Sequence, residues 1–269
     1  MVDFITEISR QPEPLAALQG LMATNGLELA FQPKFRCLDG AIAGIEVLAR
    51  WPGARYTWQQ PEYFVRLAEQ QSLSPTLDLQ VLTKTQETLH ALPARLRNAL
   101  GPVSVNVSAH SIMDEEFMTD IKRLFTPTKT SNIHFELTET ASLFCLKRAC
   151  EIFTTLSRLG ISLSIDDFLQ GYNTPEVLDA LPAKEIKIDR KDIARMHERA
   201  GFRRVAAMIT IAKQKRLRIT AEGIENEGQW SLLKSMGCDF CQGFWLSPPL
   251  TVDELSALSE SMTLHHPKY

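Results

Sequence analysis

ISLSIDD (161–167), TPEVLDAL (174–181), EIKID (185–189), RRVAAMITIAKQKR (203–216) and LRITAEG (217–223) follow one another almost without interruption, and their order decides the fold. Short β-branched runs closed by polar residues alternate with stretches of helical apolar spacing, which specifies parallel strands joined by crossover helices. Toward the N-terminus the alternation continues through VSVNVS (103–108), SIMDEEFMTDIKRLF (111–125), IHFELTE (133–139) and LKRACEIFTTLSRLG (146–160). Toward the C-terminus it runs through NEGQWSLLKSMG (226–237) to a last strand in CDFCQG (238–243). PEYFVRLAEQQ (61–71) and LDLQVLTKTQETLHAL (77–92) carry helical spacing as well.

The chain opens differently. PLAALQGLMATNG (14–26) reads as a helix closed by Gly26, because glycine readily takes the left-handed conformation that ends helices. LELAFQPKF (27–35) and AIAGIEVLAR (41–50) are β-rich runs around a Leu-Asp-Gly turn, so the first strand pairs antiparallel with the second. Eight short strands of two-face-apolar character imply closure. The fold expected is an α/β, TIM-like (β/α)8 barrel with an antiparallel first strand. The competing open doubly wound sheet usually carries a glycine-rich phosphate loop after its first strand, and none is present. Residues 1–26 form an N-terminal helical flank, 27–260 the barrel and 261–269 a C-terminal tail.

Composition agrees with one large globular domain. The 269 residues are 44% hydrophobic and 23% charged, and about 250 residues is an ordinary size for such a barrel. The net charge of −3, with Lys and Arg scattered singly, argues against an extended nucleic-acid partner. No stretch approaches the roughly 20 apolar residues that span a bilayer, and the first residues lack a signal-peptide core, so no membrane insertion and a cytoplasmic location are expected. Cys37, Cys145, Cys150, Cys238 and Cys241 are odd in number and lie in apolar surroundings, as reduced core thiols do. Cys238 and Cys241 form a CxxC without a second ligand pair in sequence, so core packing is preferred to metal or redox use.

The chemistry lies in the polar residues that interrupt or close the strands. These are Glu46, Asn106, Glu136, Glu139, Asp166, Asp167, Lys187, Asp189, Glu222, Glu225 and Gln242. Each has an ordinary reading: Asn106 or Asp189 as a helix cap, Glu139 as a first-turn acid, Lys187 as a counter-charge. A barrel, however, brings the C-terminal ends of its strands to one face, where so many carboxylates would repel unless cations held them ionised. Oxygen and amide ligands without His or Cys favour Mg2+ or Mn2+. Two such ions could hold a phosphodiester and activate a water.

With these residues placed, the chain resembles an EAL-type cyclic-di-GMP phosphodiesterase domain over about Leu27 to Leu250. FQPKF (31–35) is similar to the family's opening YQP segment. GIEVLARW (44–51) is similar to its signature, with Glu46-Val47-Leu48 in place of Glu-Ala-Leu. SVNVSA (104–109), FELTET (135–140), SIDDF (164–168), EIKIDR (185–190), TAEGIEN (220–226) and DFCQGFWLSPPL (239–250) follow in family order.

The resemblance implies hydrolysis of cyclic-di-GMP to linear pGpG with two Mg2+ or Mn2+ ions. It implies metal ligands at Glu46, Asn106, Glu136, Asp166 and Glu222, with Asp167 at or beside the second ion. Lys187 would orient or deprotonate the water, Asp189 would hold Lys187, and Glu225 and Gln242 would complete the polar shell. Gln32 and Arg50 resemble substrate-binding positions, and a guanidinium at Arg50 independently suits phosphate or a guanine edge. Glu139 resembles the acid that anchors the loop after the fifth strand, through which family members contact a dimer partner. That loop departs from the family pattern: Leu169, Gln170, Gly171, Tyr172 and Asn173 stand where Gly, a small residue, Gly, Tyr and Ser are usual. Leu169 is expected to exclude the left-handed backbone that glycine takes freely. The alternative function this raises is a cyclic-di-GMP receptor with weak or no turnover.

Overall fold

Strand β1 (Glu28–Arg36) folds back on β2 (Ile42–Arg50), with Gly40 at φ 72° in the turn, where a side chain would be strained. From β2 onward each strand pairs parallel with the next: β3 (Val103–Val107), β4 (Ile133–Leu137), β5 (Ser162–Ile165), β6 (Ala183–Ile188), β7 (Arg218–Ala221) and β8 (Phe240–Cys241). β8 then pairs antiparallel with β1 and closes the barrel, so β1 runs against both neighbours. The computed structural model describes residues 13–125, 132–137, 146–170 and 175–264.

The helices surround this barrel. α1 (Pro14–Ala23) precedes β1, and α2 (Pro61–Gln70), α3 (Ser74–Ala91) and α4 (Ala94–Ala99) lie between β2 and β3. α5 (Ala109–Met113) and α6 (Glu115–Leu124) follow β3 as two helices where the sequence reads as one, because Asp114 ends the first and caps the second by accepting from Phe117 N. α7 (Leu146–Arg158), α8 (Pro175–Ala180), α9 (Arg190–Ala194), α10 (Arg199–Gln214) and α11 (Glu227–Met236) complete the crossovers. α12 (Val252–Leu264), beyond β8, had no counterpart in the sequence pattern. The end of α1 also differs from expectation: Asn25, not Gly26, takes the left-handed turn, at φ 51°. Among the described residues no helix is long and apolar enough to cross a membrane.

The strands are not apolar on both faces. One parity, including Val103, Val105, Ile133, Phe135, Leu163, Ile165, Ile186, Ile188, Ile219 and Ala221, is buried and apolar. The other parity is polar: Lys34, Ser104, Glu136, Glu185, Lys187 and Thr220 are all buried. Lys34 on β1 bonds Ser104 on β3 and Glu136 on β4, strands that are not its neighbours, so these bonds cross the lumen. The interior of this barrel is therefore a hydrogen-bonded polar network, while the apolar parity packs outward against helix residues such as Phe64, Leu82, Met208 and Leu233. Desolvating these polar groups is tolerable only because they satisfy one another.

Candidate active site

The C-terminal ends of the strands bring Glu46 (β2), Asn106 (β3), Glu136 (β4), Asp166 (after β5), Lys187 (β6) and Glu222 (after β7) together around one ammonium group. Lys187 Nζ lies 2.6 Å from Glu136 Oε2, 2.5 Å from Glu222 Oε1, 3.5 Å from Glu46 Oε2 and 3.6 Å from Asp166 Oδ1. Register explains the convergence. Gln32 pairs across β1–β2 with Glu46, and Asn106 across β3–β4 with Glu136. Asn106 Nδ2 donates to Glu46 Oε1 at 2.7 Å, and Gln242 Nε2 donates to Glu46 Oε2 at 2.8 Å and to Gln32 Oε1 at 2.9 Å. Gln32 donates in turn to the Ser247 carbonyl. Gly223 follows Glu222 at φ 68°, and a Cβ there would meet Arg190 Cβ at 2.4 Å, so only glycine lets the chain turn immediately after this acid.

Four carboxylates face Lys187, and the electrostatics follow from that imbalance. Burial alone would lower the Lys187 pKa, but Asp166, Glu136, Glu222 and Glu46 raise it well above its ordinary value. Facing only these carboxylates, the Lys187 ammonium is held in its charged form. Burial would raise Glu136, yet Lys187 and Lys34 on its two oxygens hold it far below the usual carboxylate range. Asp166 and Glu222 are raised, chiefly by burial and by the neighbouring acids, which Lys187 offsets only in part. Burial, Asp166 and Asp189 push Asp167 up to about 7. The mouth is short of positive charge.

Not every expected residue joins this cluster. Asp189 does not hold Lys187; it caps α9 by accepting from Lys191 N at 2.7 Å and hydrogen-bonds Asp167 instead. It sits at the end of β6, where the chain turns into the helix and needs a cap. Glu225 is exposed between β7 and α11, and its side chain makes no hydrogen bond or ion pair among the described residues. Arg50 is half-buried at the end of β2 and donates to the Ala49 carbonyl, with burial lowering its pKa and Glu46 opposing. Glu139, Gly171, Tyr172 and Asn173 lie outside the described residues. Leu169 stands at φ 62°, so the branched residue has not excluded the left-handed backbone. Arg204 Nη2 donates to its carbonyl at 2.6 Å and its side chain packs against the core, which together hold a conformation leucine disfavours.

A second polar layer beneath the mouth escaped the sequence reading. Lys34 Nζ lies 2.5 Å from Glu136 Oε1, 2.8 Å from Ser104 Oγ and 3.4 Å from Glu185 Oε1, and Thr220 donates to the same Glu185 oxygen. The signal was present. Each of Lys34, Ser104, Glu185 and Thr220 stands two positions from a recognised site residue on, or just beyond the end of, its own strand and so faces the same side. The expectation of lone CxxC cysteines also needs correction: Cys37, from the turn after β1, joins Cys238 and Cys241 in one buried group.

A sequence model described as EAL domain matches residues 15–249. The chain belongs to the EAL domain family. This EAL domain is 32% identical over 230 residues to the biofilm architecture maintenance protein MbaA of Vibrio cholerae, covering 85% of the chain and 29% of MbaA. It is 31% identical over 227 residues to the cyclic di-GMP phosphodiesterase PdeL of Escherichia coli, covering 81% of the chain and 61% of PdeL. The chain thus spans about a third of the length of the first curated relatives it matches. Its fold superposes on the phosphodiesterase PaMucR, solved as a c-di-GMP complex, with a TM-score of 0.80 at 28% identity, covering 90% of this chain and 99% of that one.

Whether this mouth fits divalent ions is answered by its donors. Glu46, Asn106, Glu136, Asp166 and Glu222 offer oxygen alone, the carboxylates outnumber the ammonium groups, and buried Gln242 Oε1 has no hydrogen-bond partner among the described residues. Hard cations suit that set.

Proposed function

We propose that this EAL domain hydrolyses cyclic-di-GMP to linear pGpG with two Mg2+ or Mn2+ ions. The reading rests on one observation: four acidic side chains from four strand ends stand around the Lys187 ammonium group, and burial and their mutual repulsion raise Asp166 and Glu222, so the mouth lacks positive charge. Glu46, Asn106, Glu136, Asp166 and Glu222 would hold the ions, with Asp167 a further oxygen donor. Bound there, divalent ions lower the pKa of a water and stabilise charge on the phosphate in an in-line displacement.

The remaining work falls to the chain. Lys187, surrounded by these acids, orients or deprotonates the attacking water. Asn106 and Gln242 fix the two oxygens of Glu46. Gln32 and Arg50 bind the dinucleotide, and Arg50 at the rim is suited to a phosphate or a guanine edge. Asp189 would act on the substrate only through Asp167, which it hydrogen-bonds, while Glu225, exposed here, would need to swing inward to take part. A homodimer through the loop after β5 is proposed on the family's habit. Sedimentation at several concentrations tests it, and a monomer throughout rejects it.

The deciding experiment is incubation with cyclic-di-GMP and Mg2+ or Mn2+, followed by separation of pGpG from unchanged ligand. Turnover that stops on chelation is expected. Full turnover in excess chelator rejects the two-ion reading, and tight binding without product would make the chain a receptor.

A further inference from the structure

Away from the mouth, three thiols converge where the barrel closes on itself. Cys37 leaves the end of β1, Cys238 precedes β8 and Cys241 lies within it; all are buried, and their sulfurs lie within 4.8 Å of one another. Cys37 Sγ and Cys241 Sγ are 2.8 Å apart, too far for a disulfide of about 2.05 Å. The backbone fixes the arrangement. Cys37 N donates to the Asp239 carbonyl, Phe35 pairs with Cys241, and Cys238 N donates to the Leu233 carbonyl at the end of α11. Side chains alternate along a strand, so Cys241 lies on the wall opposite its neighbour Gln242, outside the lumen.

We propose that Cys37, Cys238 and Cys241 form a three-coordinate thiolate site for a soft monovalent cation with the chemistry of copper(I). Thiolates select soft ions, and among the described residues no His or carboxylate joins the group as the fourth ligand that structural zinc requires. Burial of all three cysteines leaves little room for a water in that place. A planar trigonal site with metal–sulfur bonds of about 2.3 Å sets the sulfurs about 4 Å apart. The Cys37–Cys241 pair must open by about 1.2 Å from 2.8 Å to reach that spacing. Binding displaces the thiol protons into solvent. Lys234 donates to the Leu38 carbonyl, which places a cation beside the turn that carries Cys37. Asp239, between the cysteines of the CxxC, is already engaged as an acceptor for Ile219 N. A bound ion would join β1 to β8, the two-residue strand that closes the barrel.

The test is an anaerobic titration of the reduced full chain with copper(I) held by bicinchoninate, with a parallel titration in Zn2+. The expected result is about one copper(I) per chain drawn from the competitor, an X-ray absorption edge spectrum fitted by about three sulfurs alone, and a raised unfolding temperature. Cys37→Ser and Cys238→Ala should each bind at least about tenfold more weakly. Cys150→Ser, on α7, should bind as the parent does. A buried substitution can unfold the chain, so the spectrum and melting shift of the unsubstituted protein carry the test by themselves. Copper(I) left with the competitor, oxygen or nitrogen neighbours in the spectrum, preference for Zn2+, or unchanged affinity in folded Cys37→Ser would overturn the assignment.

Discussion

Lys187 Nζ lies 2.6 Å from Glu136 Oε2, while the other oxygen of Glu136 is taken by Lys34, so one fully buried carboxylate joins the mouth to the layer beneath it. Lys187 is the only contact in that pair that also reaches Glu222, Glu46 and Asp166. Lys187→Met should therefore leave the acids uncompensated and cost about 3–5 kcal/mol, the usual penalty for breaking a buried pair from one side. Mg2+ should restore part of the lost unfolding temperature, because it supplies charge to the same oxygens. Turnover should fall by at least about 100-fold even in saturating Mg2+. A variant that melts like the parent without metal would contradict the central position given to this ammonium.

Glu46→Gln tests the ligand set. Glu46 accepts from Asn106 on one oxygen and from Gln242 on the other, so the amide keeps one acceptor and turns an NH2 toward a donor. The fold should survive, since Lys187 lies 3.5 Å away and keeps closer carboxylates. Activity should drop at least about 100-fold with a higher metal requirement, because both a ligand charge and its orientation are lost. A near-parental rate with unchanged metal dependence would remove Glu46 from the ligand set.

Arg50→Ala separates binding from chemistry. Arg50 is half-buried at the rim and, among the described residues, hydrogen-bonds only the adjacent Ala49 carbonyl, which leaves other guanidinium donors for a ligand. KM for cyclic-di-GMP should rise about tenfold or more while kcat changes less, as expected when a uniform binding contact is removed. Loss confined to kcat would place Arg50 in the reaction itself.

The barrel order and the mouth were legible because each strand ends in a polar residue and parallel topology sends those ends to one face. Glu46, Asn106, Glu136, Asp166, Lys187 and Glu222 needed only that rule. The lumen was misread because Val, Ile and Leu of one parity dominate such short strands, and the polar residues between them, such as Ser104 and Glu185, looked incidental. Pairing of Cys37 with a CxxC some 200 positions later could not be read from spacing, since it depends on β1 running antiparallel and closing against β8. For Asp189 the ordinary reading offered by the sequence holds for a local reason: a strand that turns directly into α9 recruits the nearest acid as its cap.

Leu169→Gly follows from the backbone that leucine already adopts. Its left-handed conformation costs about 1–2 kcal/mol, which glycine would relieve. Glycine would also lose the packed side chain and free the unfolded chain by about 0.4–1 kcal/mol. The opposing effects should leave stability within about 1 kcal/mol of the parent and the metal concentration for half-maximal rate within about twofold. Arg204→Ala, which releases the Leu169 carbonyl, should raise that concentration further than Leu169→Gly changes it. If Leu169→Gly instead lowered the metal requirement tenfold, the loop would be limiting metal binding and the receptor reading would gain support.

Asp78 gives the fold a pH dependence separate from the mouth. Its carboxylate, buried on α3, accepts from Ser108 N at 2.9 Å and Ser111 Oγ at 2.6 Å and so holds the start of α5, whose cap Ser108 lies two positions after Asn106. Burial pushes its pKa up to about 6, although the bonds from Ser111 and Ser108 pull the other way. Between about pH 4 and pH 6 the folded chain then carries a proton that the unfolded chain has lost, so this contribution to stability is full below that window and gone above it. The difference is on the order of 3 kcal/mol. Asp78→Asn cannot ionise and still offers a carbonyl oxygen to Ser111, so it should be more stable than the parent at pH 8 and lose the advantage near pH 4. Urea unfolding of both proteins at pH 4.5, 6 and 8 measures this. Curves that stay parallel across the three pH values would mean that Asp78 titrates alike in the folded and unfolded chain, and that Ser108 and Ser111 stabilise its charge as fully as water does.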